Sequence, residues 1–152
     1  MSSTKKYIVR ILPALTPFLI FSSLIGFLAF LEYSRSANHL RIAGQGYYNI
    51  RPDELDSMLT NKDFTFIDVH TPEQEHIPGT DLVIPYNQLV ERMRQLPRSH
   101  NAKIVLYCRS GHMSEIAAKE LVQRGYTNVY NALGGKNAYD TYRIANGITD
   151  KK

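Results

Sequence analysis

From residue 47 onward the chain alternates short runs of β-branched and aromatic residues with stretches of helical spacing, and this alternation limits its fold more than any other feature. Residues 64–69 (FTFIDV), 82–84 (LVI), 103–107 (KIVLY) and 129–132 (VYNA) read as strands, with 48–50 (YNI) as a short edge strand. Pro52 opens a predicted helix through Leu59, with Asp53 and Glu54 at the positive end of its dipole. A second helix is predicted over 86–96, where Leu89, Met93 and Leu96 share a face and Pro97 stops the run. A third covers 114–124, with Ile116, Ala117, Leu121 and Val122 as its apolar stripe and Gly125 as its C-terminal cap. A fourth covers 137–144, after a Gly134–Gly135 turn. Strands separated by helices predict an α/β domain, a mostly parallel five-stranded sheet with helices on both faces. Ligands of such sheets collect beyond the carboxyl ends of the strands.

Ahead of this body, residues 11–31 run without a charge (ILPALTPFLIFSSLIGFLAFL). As helix this stretch would reach about 31 Å, close to the ~30 Å hydrocarbon core of a bilayer. Pro13 and Pro17 fall in its first turns, where a missing amide costs least. A cleaved signal peptide is the rival reading, since Lys5, Lys6 and Arg10 precede the run. Signal cores span only ~7–15 apolar residues and end at a small-x-small site, for which Glu-Tyr-Ser-Arg-Ser-Ala is poor at best. The expected organisation is therefore a basic tail (1–10), a transmembrane helix that contacts lipid (11–31), a polar tether (32–46), the folded domain (47–146) and a polar tail (147–152). Three basic residues before the span and two after it place the body on the extracytoplasmic side of a single-pass protein.

Charge narrows the partners. Lys and Arg number 18 and Asp and Glu 14, but the first 44 residues hold five of the bases and a single acid, so the body is balanced. No polybasic surface remains to hold phosphate backbones, and ten tyrosines without a tryptophan are spread as core and rim residues, so nucleic acid is not an expected partner. A single cysteine excludes an internal disulfide and a multi-cysteine zinc site, and the five histidines lack His-x₃-His spacing.

That cysteine, Cys108, stands where the strand KIVLY gives way to the helix SEIAAKE. The loop between them, Cys108-Arg109-Ser110-Gly111-His112-Met113, can turn consecutive amides inward, and the helix N-terminus behind it favours an anion. The expectation is a thiol presented in a bowl of peptide nitrogens, with Gly111 allowing the tight path and Arg109 supplying a cation. A lone cysteine is more often a small buried hydrophobe. Position between strand and helix favours a nucleophile instead.

At this point the body resembles the rhodanese (sulfurtransferase) domain family over about residues 47–146. The resemblance is carried by FIDVHTPEQEHIPGT at 66–80, IVLYCRSGHMS at 104–114 and NVYNALGGKNAY at 128–139. It implies a persulfide shuttle. Cys108 would take the outer sulfur of a small anionic donor such as thiosulfate or a persulfide and pass it to a thiol or cyanide acceptor. The amides of Arg109, Ser110, Gly111, His112, Met113 and Ser114 would hold the donor and the persulfide charge, and no metal or organic cofactor is implied. This chain departs from the family pattern in four places. Met113 and His70 stand where many members have arginine, Tyr139 replaces a tryptophan, and the loop over 72–76 is about three residues short. Met113 and His70 remove positive charge, so they point towards weaker binding of thiosulfate, and together with the short loop they leave a rhodanese-like binding or regulatory module as the alternative function. A phosphatase-type loop would need one more residue and an arginine where Ser114 lies.

Three further residues complete the expectation. Asp68, at a strand's carboxyl end, is read as an acceptor that orients the active loop. His70 and His112 lie on loops able to approach Cys108. Glu73 and Glu75 are read as solvated, and His39 and His100 as surface residues.

Overall fold

The computed structural model describes residues 46–149, together with Gly26 and the strand Leu40–Arg41. The chain divides into two units, Met1–Asn38 and His39–Lys152, and the elements below belong to the second. Apart from Gly26, the predicted span over 11–31 lies outside the described residues, and no helix among those residues is long and apolar enough to cross a membrane.

Six strands form one sheet: β1 (Leu40–Arg41), β2 (Tyr48–Ile50), β3 (Thr65–Asp68), β4 (Leu82–Val83), β5 (Ile104–Tyr107) and β6 (Val129–Ala132), in the order β1-β2-β6-β5-β3-β4. The last five in that order are mutually parallel, as the alternation requires. β1 is an addition, pairing antiparallel to β2 with Leu40 opposite Asn49. The stretch predicted as tether thus contains an edge strand, and β2 is not the edge. Two residues are too few to show a period-2 pattern.

Side chains alternate across β5. Ile104, Leu106 and Cys108 face one core, and Val105 and Tyr107 face the other. The first core is covered by α2 (His112–Gln123) through Ala117, Ala118 and Leu121, with Leu89 and Leu96. The second is covered by α1 (Pro52–Thr60) and α3 (Gly135–Ala145), through Leu55 and Tyr139. Tyr139 ties the two helices together by donating to the Asp56 carboxylate at 2.9 Å.

The helix predicted over 86–96 is replaced by two 3₁₀ turns, Tyr86–Gln88 and Met93–Gln95. Its bonds mostly reach back three residues, as from Gln88 N–H to Pro85 O (2.8 Å) and from Gln95 N–H to Arg92 O (2.9 Å). Leu89 and Leu96 still reach the core. Periodicity reports which residues face inward; it does not distinguish a continuous helix from tight turns that deliver the same residues. In α2 the stripe is also shifted. Ser114, Ala117, Ala118 and Leu121 are buried, while Ile116 is 40% exposed. Those four follow the i, i+3, i+4, i+7 rule, and reading Ser114 as a polar start hid the first of them.

Candidate active site

The connection from β5 to α2 is shorter than the sequence suggested. Only Cys108, Arg109, Ser110 and Gly111 lie between them, and His112, Met113 and Ser114 form the first turn of the helix. Gly111 is the N-cap, with φ of +90°. That conformation turns its N–H onto Cys108 Sγ at 3.1 Å. The first helical bond runs from Glu115 N–H to Gly111 O (3.1 Å), so the amides of His112, Met113 and Ser114 have no acceptor within the helix. These donors stand at the positive end of the dipole of a twelve-residue helix that begins where the loop ends.

Cys108 itself is only 1% exposed. Strand parity continues one residue past β5 and carries its side chain into the core beneath α2, so the thiol forms the floor of the loop and is not displayed on its surface. Besides the Gly111 amide, the sulfur has the fully buried Ser114 hydroxyl at 3.7 Å. Arg109 and Ser110 form the exposed rim, and Arg109 makes no ion pair among the described residues.

The backbone of the loop is clamped from the far side. Gly134 and Gly135, at φ of +70° and +57°, start α3 directly against it. Lys136 N–H donates to Cys108 O (2.8 Å) and Asn137 N–H to Arg109 O (3.0 Å). A Cβ on residue 135 would run into the Cys108 carbonyl oxygen. The second glycine of the Gly-Gly turn is thus required by the contact between two backbones.

Asp68, 1% exposed, orients a different loop from the one expected. Its carboxylate accepts the His70 N–H (2.9 Å), the Gln74 side-chain amide (3.1 Å) and His76 Nδ1 (2.9 Å), all on the segment that follows β3. Glu73 lies 3.4 Å from the other ring nitrogen of His76. The bond to Asp68, with the charges of Asp68 and Glu73 behind it, raises the His76 pKa above its usual value despite partial burial. The turn at Ile77–Thr80 is held by Tyr107, whose hydroxyl accepts the Ile77 N–H (2.9 Å) and shares a bond with the Thr80 hydroxyl (2.7 Å). Burial pushes the Tyr107 phenol up.

The structure therefore brings Cys108, Gly111 and Ser114 together. His70 follows β3 at the same end of the sheet, its Nδ1 buried without a hydrogen-bond partner. His112 is exposed on the first turn of α2, where its charge helps to lower the Glu115 pKa, an effect led by the bond from Lys119. Met113 packs against the core. Sequence reasoning missed Gln74, His76, Asn49 and Asn131. The Asn131 side chain accepts the Ser114 hydroxyl at 2.7 Å and donates to Asn49 at 2.9 Å. A polar residue on each of two neighbouring buried strands was the available signal. Among the described residues no cluster of His, Cys, Asp or Glu could hold a metal ion.

Parallel sheet, single cysteine after the central strand and glycine-capped helix together define a cysteine-loop α/β domain. The rhodanese-like domain family matches residues 51–141, and the chain belongs to it. A sulfurtransferase of Allochromatium vinosum is 34% identical over 92 residues, which cover 55% of this chain and 83% of that protein. Thiosulfate sulfurtransferase PspE of Escherichia coli is 37% identical over 75 residues, covering 47% and 71%. The crystal structure of a rhodanese-related protein from Thermoplasma volcanium superposes with a TM-score of 0.53 at 25% identity, over 62% of this chain and 91% of that one.

Proposed function

We propose that this protein is a sulfurtransferase that carries sulfane sulfur on Cys108 as a persulfide. The Cys108 thiolate attacks the outer sulfur of the donor, and a new S–S bond forms as the donor's S–S bond breaks. Sulfite leaves with the electron pair when the donor is thiosulfate, and a thiolate leaves when it is a persulfide. The acceptor, a thiolate or cyanide, then attacks the outer sulfur of Cys108-S-S⁻, and Cys108 departs as thiolate. Each half is a simple displacement at sulfur and needs no redox partner. The carrying observation is the Gly111 N–H aimed at Sγ, with the free amides of His112, Met113 and Ser114 next to it, where negative charge passes from thiolate to persulfide.

The rim sets the donor. Arg109 and Ser110 are the exposed loop residues, and Met113, on the first turn of α2, packs against the core and supplies no second cation to hold a sulfonate. A persulfide donor, slim and singly charged, suits a sulfur this deep better than thiosulfate. The protein is further proposed to work at a membrane, anchored through residues 11–31 with its body extracytoplasmic, on the strength of the uncharged run and the bases before it.

One observation favours a second reading, a binding or regulatory module without turnover: Cys108 is 1% exposed. Intact-mass measurement separates the two. Incubation of the full chain with a low-molecular-weight persulfide, and separately with thiosulfate, is expected to add one sulfur atom. The adduct is expected to vanish with cyanide and never to form in Cys108→Ser. No adduct with either donor establishes the module instead.

A further inference from the structure

Behind Cys108 a chain of buried polar side chains crosses from α2 over β6 to β2. Ser114, Asn131 and Asn49 are 0%, 3% and 8% exposed, and each is bonded to the next. The Ser114 hydroxyl has one hydrogen and three acceptors in reach: Asn131 Oδ1 at 2.7 Å, Gly111 O at 3.1 Å and Cys108 Sγ at 3.7 Å. Asn131 Nδ2 donates to Asn49 Oδ1 at 2.9 Å, which leaves the carbonyl end facing Ser114. Carbonyl oxygen brings no hydrogen of its own, so the 2.7 Å contact must use that of Ser114. The hydroxyl then turns its lone pairs towards the sulfur, an arrangement that suits S–H and opposes S⁻.

We infer that Asn131, oriented by Asn49, is a positioning residue that sets the direction of the Ser114 hydroxyl and so governs how readily Cys108 carries negative charge. While Cys108 is a thiol, the hydroxyl stays on Asn131. When the sulfur becomes thiolate or persulfide, rotation about the Ser114 Cβ–Oγ bond moves the hydrogen onto sulfur and leaves Asn131 Oδ1 without its partner. The Asn49–Asn131 pair thus holds back a donor that the charged sulfur must win. The importance of this device for turnover rests on the sulfurtransferase reading; its effect on thiol ionisation does not.

The test is therefore read on ionisation, by titrating the ultraviolet thiolate absorbance of Cys108 in the full chain against Cys108→Ser. Asn131→Leu keeps the volume and removes the acceptor. The thiolate-to-thiol ratio at a fixed pH is expected to rise about fivefold, the scale of one neutral hydrogen bond. Ser114→Ala is expected to lower it, and Asn131→Leu added to Ser114→Ala is expected to have no further effect. An unchanged titration in Asn131→Leu, or an equal shift with and without the Ser114 hydroxyl, overturns the inference. Should Asn131→Leu fail to fold, Asn49→Ala releases only the orientation of the amide, and a smaller rise in the same ratio is expected; no rise overturns the inference. A rise in the ratio without any sulfur adduct on the wild-type chain would leave this device standing and remove the sulfurtransferase reading.

Discussion

His76 shows how a single side chain can tie the site's surroundings to pH. Its ring sits between Asp68 (2.9 Å) and Glu73 (3.4 Å), and its folded pKa is raised above the unfolded value of about 6.5. The folded state therefore holds this proton more tightly than the unfolded chain does. The resulting stabilisation is complete below about pH 6.5 and is lost as pH rises through the raised folded value. Urea midpoints of wild type and His76→Gln should differ most on the acid side and converge as the pH climbs. A gap that widens with pH would mean that His76 is held neutral. Nothing in the sequence pointed to this pair. Asp68 was legible as a buried acceptor because it ends an apolar run, but its partners are chosen by the path of the 70–76 loop, which has no periodicity to read. Cys108 was legible in position, and counting strand parity from Ile104 would also have given its burial.

Among the elements, α3 acts directly on the cysteine loop. Two of its free N-terminal amides, from Lys136 and Asn137, end on the Cys108 and Arg109 carbonyls, and Gly135 admits that approach. Gly135→Ala must leave a φ of +57° and displace the Cys108 carbonyl, so a loss of about 1–3 kcal/mol is expected from thermal melting. Sulfur loading of Cys108 should fall with it, whereas an alanine at an open surface position such as Gly147, with nothing within 4 Å, should leave loading unchanged. The Gly-Gly turn was visible in the sequence, but the reason for its second glycine was not, since that reason lies 27 residues away at Cys108. The strands β5 and β6 were readable almost to the residue, being buried on both sides. The 86–96 stretch was not, because two leucines seven residues apart fit a helix and a pair of tight turns equally well.

At the scale of the whole chain, the body and the apolar run ask different questions. Alternation fixed the five parallel strands, and the family match covers the same body. The run at 11–31 is tested only by a bilayer. The full chain is expected to stay in the membrane fraction through high salt and alkaline carbonate, and a chain lacking residues 1–38 to be released; release of the full chain by alkali would dismiss the anchor. A further consequence follows from where α3 stands. β2, early in the body, pairs with β6, and the carbonyls of Cys108 and Arg109 wait for amides from residues 136 and 137. A chain still growing on the ribosome, with α3 inside the exit tunnel, has the cysteine already made but neither β2's partner nor the loop's clamp. The reactive architecture is completed only once α3 has left the tunnel and reached the cysteine loop.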